Sequence, residues 1–229
     1  MILKSINLPQ EASIDIEIYS DIVLEYPSLD KLGIDNMSLA FSLNDDSTTM
    51  VAFRDENNNY EYIHVIRAEI TSADKGIDIA KALFKAISPA AGIIQLHCDG
   101  RYMLSVDLKN KGVNCTEWIN SADITSNDGQ FPNNLNYEKL LSENLFAFYQ
   151  AIDASITRYN ASLLVDDLAI DEARTAEIMQ QIELCDKEIE VLKRKFKKTT
   201  QYNQQVKINV EINKLKTKKE NLAMQLSDL

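Results

Sequence analysis

The end of the chain carries two apolar seams whose phases disagree, and no other feature restricts the fold as tightly. Ile178, Ile182, Cys185, Ile189, Leu192 and Phe196 are spaced 4, 3, 4, 3, 4, and Ile208, Ile212, Leu215, Lys219, Leu222 and Leu226 repeat that rhythm with one lysine intruding. A 4-3 rhythm keeps one apolar stripe on one side of a helix and is the signature of coiled-coil packing. Sevens counted from Ile178 reach Val206 and Asn213, not Ile208 and Leu215. A slip of two residues turns the stripe by roughly 200° on a straight helix. The chain must therefore reverse between Lys198 and Gln201 or change partner there. Two arms of about 26 residues would zip into an antiparallel hairpin about 40 Å long. Thr199-Thr200-Gln201 contains no glycine or proline to stop a helix, so a continuous dimerising helix is the other solution. The hairpin is favoured. In either case the seam needs a partner surface, because helices of this kind owe their stability to packing.

The rest of the 229 residues bound the class. A hydrophobic fraction of 45% and a charged fraction of 26% describe a globular chain rather than a disordered one. No apolar run approaches the roughly 20 residues that span a bilayer, so no membrane is expected. Lys4 is followed by Pro9, Glu11 and Asp15, which leaves no signal-peptide apolar region. Cys98, Cys115 and Cys185 are an odd set without CxxC spacing, pointing to a reducing cytoplasm rather than a disulfide scaffold. The net charge of −11 is uneven. Asp186 to Glu220 holds eleven Lys or Arg against five Asp or Glu, or +6, so the remainder carries −17. An acidic body is a poor match for phosphate, which leaves the basic stretch as the one candidate for nucleic acid.

The expected fold class is α+β: a small, mostly antiparallel sheet with packed helices, plus the long-helix coiled-coil element. The body is expected over 1–135, a docking helix and linker over 136–168, and the helical tail over 169–229. Residues 1–48 carry weak signals apart from the alternation of Ile14, Ile16 and Ile18, which predicts a short strand. Met50 to Arg54 and Tyr60 to Thr71 read as strands separated by the turn-rich 55–59. In the second, Tyr60, Tyr62, His64, Ile66, Ala68 and Ile70 share one face, and Ile63, Val65, Arg67 and Glu69 the other. Ile77, Ala80, Leu83, Phe84 and Ile87 form a helical stripe, ended by Ser88-Pro89. Gly92 to Cys98 and Tyr102 to Lys109 form a hairpin around Asp99-Gly100. A three-residue loop is preferred there, because it puts Ile94, Leu96, Cys98, Tyr102, Leu104, Val106 and Leu108 on one face. Ile93, Gln95, His97, Met103, Ser105, Asp107 and Lys109 then share the more polar face. Cys115 to Ile119 reads as an edge strand carrying Trp118, and 121–136 as a polar loop. A helix from Tyr137 to about Leu164 carries the stripe Leu141, Leu145, Phe148, Ile152 and Ile156.

Few constellations suggest chemistry. Asp107-Leu108-Lys109 is a D-x-K tripeptide on a strand, the form in which some nucleases pair metal-holding carboxylates with a lysine that orients water. Glu69 or Asp99 would supply the missing acid, and a divalent metal would be required under this reading alone. The competing reading is that Asp107 and Lys109 solvate the open face of a hairpin, and it outweighs a motif this short. His97 and Cys98 point to opposite faces of one strand and cannot easily ligate one ion, and His64 on an apolar face reads as a core histidine. No metal or cofactor is otherwise expected. In the tail, Lys193, Arg194, Lys197 and Lys198, with Lys195, Lys207, Lys214, Lys216, Lys218 and Lys219, are candidates for nucleic-acid contact. The alternative is that they solvate a coiled coil, with Glu183–Lys187 and Glu190–Arg194 as i,i+4 pairs.

Three segments in order resemble an uncharacterised bacterial family, domain-of-unknown-function family 4391. They are the stretch from Tyr62 to Lys109 (IHVIRAEIT and AGIIQLHCDGRYMLSVDLKN), Trp118 in TEWIN, and the tail KKTTQYNQQVKINVEINKLK with Gln201, Asn203 and Asn209 among lysines and seam residues. The first 45 residues diverge, and Thr199-Thr200 stands where the family is more charged. The resemblance implies the company of helicases and DNA methyltransferases of restriction or phage-defence islands, and it transfers no catalytic residue. The expectation is therefore a cytoplasmic, non-enzymatic accessory protein that uses the seam to hold a protein partner or a second copy of itself. A D-x-K nuclease and a nucleic-acid-binding tail are the alternatives.

Overall fold

Two strands, Ile63–Ile70 and Ala91–Cys98, lie side by side and parallel at the centre of a seven-stranded sheet. In this computed structural model, residues 6–26, 29–56, 58–109, 111–122, 135–165 and 172–227 are described. The strands in chain order are β1 (Ser13–Glu17), β2 (Ile34–Leu43), β3 (Phe53–Arg54), β4 (Asn59–Tyr60), β5 (Ile63–Ile70), β6 (Ala91–Cys98), β7 (Arg101–Leu108), β8 (Gly112–Cys115) and β9 (Ile119–Asn120). The sheet runs β1-β2-β5-β6-β7-β8, with β9 on β7, while β3 and β4 pair separately. Every pairing except β5–β6 is antiparallel. The helices are α1 (Tyr19–Glu25), α2 (Gly76–Ile87), α3 (Tyr137–Leu140), α4 (Leu145–Ser162), α5 (Glu172–Lys198) and α6 (Tyr202–Met224). The fold is α+β, and the chain divides into two compact units, Met1–Ile156 and Thr157–Leu229. Among the described residues no helix is long and apolar enough to cross a membrane.

In the first unit, α2 connects β5 to β6 and covers one face of the sheet. Ile79, Ala80, Leu83 and Phe84 bury against Met37, Ile66, Ala68, Ile70, Ile94, Leu96, Cys98 and Met103. The expected stripe needs one exchange: Ile79 is buried, whereas Ile77 stays 53% exposed. Ser88 ends the helix in an extended conformation, as the following proline demands. Strand β2 escaped the alternation test for a physical reason. Its register against β5 shifts between Ile34 and Asn36 and again between Leu39 and Phe41. Each bulge adds a residue and breaks the period of two. Leu39 thus pairs with Ile66 on the α2 side, while Phe41 pairs with Val65 on the opposite face.

The hairpin register corrects the expectation. Cys98 pairs with Arg101, His97 with Tyr102 and Leu96 with Met103, so the loop has two residues, not three. Asp99 and Gly100 have φ of 49° and 72°, the left-handed pair that a type I′ turn requires. Leu104 and Val106 therefore face away from Leu96, and the polar set collected around Asp107 comes apart. The expectation assumed one apolar face, but here both faces are covered. Ile93, Leu104 and Val106 are as fully buried as Ile94 and Leu96.

The helix expected from Tyr137 to about Leu164 is broken. After α3, Asn144 pairs with Val51 and its side chain accepts a hydrogen bond from the Ala147 N–H, capping α4. Leu141, placed on the expected stripe, is exposed, whereas Leu145, Phe148, Ile152 and Ile156 are buried. Most of the expected polar loop, 123–134, lies outside the described residues.

In the second unit the chain reverses between Lys198 and Tyr202. Ile178, Ile182 and Cys185 pack with Leu222 and Leu226, and Ile189 with Ile208 and Ile212. The pairs run in opposite chain order, so α5 and α6 form an antiparallel hairpin. Ala161, from the end of α4, packs into the same core as Ile178. The two-residue phase slip is resolved by reversal, and each seam is the other's partner.

Candidate functional site

The four residues of the nuclease reading fall into two places. Glu69 and His97 are neighbours across the parallel β5–β6 pair, and the Glu69 carboxylate bonds His97 Nδ1. The His97 ring stacks on Tyr102 with centroids 4.5 Å apart. Asp99 sits in the turn at this end of the sheet. Tyr102 stands five residues before Asp107, about 17 Å along the strand, so Asp107 and Lys109 lie at the opposite end. Glu69, Asp99 and Asp107 do not converge on one ion, and among the described residues no three His, Cys, Asp or Glu do. The expected sharing of a face by His97 and Asp107 also fails, because the two-residue turn sets them on opposite faces.

Around Glu69 and His97 the residues pair across strands. Two positions before Glu69, Arg67 bonds the Asp15 carboxylate, and Asp15 reaches it from a left-handed φ of 54° at the bulge in β1. β1 and β5 are not neighbours in the sheet, so this ion pair reaches across β2. His64 is half-buried, shares a hydrogen bond of 3.2 Å with Ser42 Oγ, and burial lowers its pKa.

Asp107 opens instead onto a cavity of about 380 Å³ in the first unit, lined by Tyr60, Lys81, Lys85, Lys109 and Tyr149 among others. Burial raises the Asp107 pKa, and burial, then Asp107 and Asp153, push that of Tyr60 up to about 12. A divalent ion needs a second carboxylate beside Asp107, and the lining supplies three ammonium groups. Tyr149 holds this end of the sheet together: its hydroxyl donates to the Gly92 carbonyl at 2.6 Å and accepts from the Asp107 N–H at 2.8 Å. Nearby, Asp153 is 4% exposed and takes Lys111 Nζ at 3.0 Å and Asn114 Nδ2 at 2.8 Å. Sequence reasoning missed Asp153, although an acid adjoining the Phe148–Ile152–Ile156 stripe is a readable signal.

In the hairpin, the lysine that interrupts the second seam is answered from the other arm. Lys219 Nζ lies 2.8 and 2.7 Å from the two Asp186 carboxylate oxygens. Glu183 pairs with Lys187 at 2.6 Å as expected. Glu190, expected to take Arg194, takes Lys193 at 2.7 Å. That contact, with the charges of Arg194 and Lys197 behind it, lowers the Glu190 pKa. Toward the turn the surface becomes uniformly cationic. From Val191 to Val210 the chain carries Lys193, Arg194, Lys195, Lys197, Lys198 and Lys207 and no Asp or Glu, and all six are exposed. The turn is pinned by Gln205 Nε2, which donates to the Thr199 carbonyl at 2.7 Å, and by Thr199 Oγ1, which donates to the Lys195 carbonyl at 2.8 Å. Lysines in the last turn of α5 suit the negative end of its dipole, which accounts for Lys195, Lys197 and Lys198 but not for Lys193, Arg194 or Lys207. Of the expected seam, Phe196 is 37% exposed, because the packed core ends at Leu192 and Ile208.

Comparison with known proteins finds one family: the model of a domain of unknown function, DUF4391, matches residues 6–218. No curated protein and no solved structure matches the chain.

Proposed function

The chain belongs to the DUF4391 family of domains of unknown function, and from that premise we propose that it is a cytoplasmic accessory protein whose helical hairpin engages nucleic acid through its basic tip. One observation carries the reading: six exposed cations and no carboxylate over the twenty residues that flank the turn. Phosphate contacts dominate nucleic-acid affinity, and this segment is the one region of an otherwise acidic chain suited to make them. The use of both seams within the chain supports it further. The seam residues are spent on each other, so a partner is met by the outward surface, which at this end is cationic. Helicases and methyltransferases of restriction or phage-defence systems, the company implied by the family resemblance, act on DNA, and an accessory subunit that grips the same polymer is a role this tip suits.

The test is fluorescence anisotropy with labelled oligonucleotides at low salt, comparing the wild-type chain with R194E/K197E/K198E. The reversed variant is expected to bind on the order of tenfold or more weakly, with its helical circular dichroism unchanged. Equal binding by both proteins would remove the tip from the account.

A further inference from the structure

We propose that the tip prefers single-stranded nucleic acid, with Tyr202 as a platform on which a base stacks; this rests on the nucleic-acid reading above and deepens it. Tyr202 is the first residue of α6 and is 76% exposed, the highest fraction among the large hydrophobic side chains of the described residues. It does not serve the hairpin core, which is closed by Ile189, Ile208 and Ile212. Among the described residues no aromatic ring stacks on it. In the sequence it lies between Lys198, four residues before, and Lys207, five residues after, both exposed. Phe196, two residues before Lys198, is also partly open.

Duplex DNA hides its base faces and presents phosphates, and cations alone suffice for that. An aromatic ring left open between cations adds something only where unstacked bases are available. Proteins that bind single strands without sequence readout combine these two elements, a cationic track and an exposed ring, and each stacked base contributes about 1–3 kcal/mol. Tyr202 opens α6 across the three-residue turn from the end of α5, which carries Arg194, Lys197 and Lys198, so a strand whose phosphates lie on those side chains can bring a base onto the ring. A flexible single strand can bend around a tip as narrow as two helices, whereas a duplex of about 150 base pairs persistence length meets it at few phosphates.

The experiment measures affinity for a labelled oligo-dT strand and for a duplex of mixed sequence, using wild type, Y202A, Y202F and R194E/K197E/K198E. The expected result is that Y202A weakens oligo-dT binding roughly tenfold or more while its duplex affinity stays within twofold, and that Y202F retains wild-type binding to both. Thermal unfolding of Y202A should match wild type, since the ring is not in the core. Loss on both ligands to the same degree, or no loss on the single strand, overturns the stacking role. If R194E/K197E/K198E loses binding while Y202A does not, the stacking inference fails and the basic-tip reading stands. If neither variant changes binding, both fail.

Discussion

Single side chains in the first unit bear most of the testable energetics. Tyr149 bridges the Gly92 carbonyl and the Asp107 N–H, so Y149F leaves a buried carbonyl and N–H without their partner. Chemical denaturation should show a loss of about 1–3 kcal/mol, and an unchanged midpoint would mean water replaces the hydroxyl there. Asp107 makes the opposite prediction. Burial raises its pKa in the folded state above that of the unfolded chain, so the folded form holds the proton to higher pH. Its cost to stability therefore appears as pH rises from the unfolded pKa through the folded one. D107N should be more stable than wild type at neutral pH, and the difference should vanish below the ordinary carboxylate range. Such residues were hard to read in the sequence. D-x-K drew attention to Asp107 for a chemistry its surroundings do not supply, whereas the structural importance of Tyr149 and Asp153 depends on contacts 42 residues distant.

At the level of elements, legibility followed periodicity. Strand β5 and the two long helices kept the period of their class and were readable; β2 did not, because two bulges erased its alternation. The hairpin turn was misread because both faces of β6 and β7 are buried, and a binary pattern cannot assign a register when both sides are apolar. The local chemistry of Asp99-Gly100 was the better guide. The helical hairpin offers the sharpest element-scale test. Lys219 sits at a seam position against Asp186. K219L should leave the hairpin as stable as before or more so, because an apolar residue suits the seam. D186A should weaken it by about 1 kcal/mol, since the lysine then lacks its counter-charge. A destabilised K219L, seen by thermal melting, would show that the pair contributes more than the seam would gain.

For the whole molecule, the phase slip between the two seams foretold the reversal, and the charge asymmetry marks the stretch to which the proposed nucleic-acid contact is assigned. What the sequence left open was whether the seams served a partner or each other. That depended on three residues, Thr199 to Gln201, which contain no obligatory helix breaker and whose turn is held by Gln205 and by Thr199 itself. Because the hairpin is self-contained, partner recognition in the proposed role falls to charge at its tip rather than to the apolar seam. Counterion release makes that claim measurable. The logarithm of the association constant for oligo-dT, plotted against the logarithm of salt concentration, should be linear with a slope of about −3 to −4 if most of the six cations meet phosphates. In R194E/K197E/K198E the slope should shrink by about 2. A slope near zero for the wild-type chain, or the same slope in both proteins, would contradict the account.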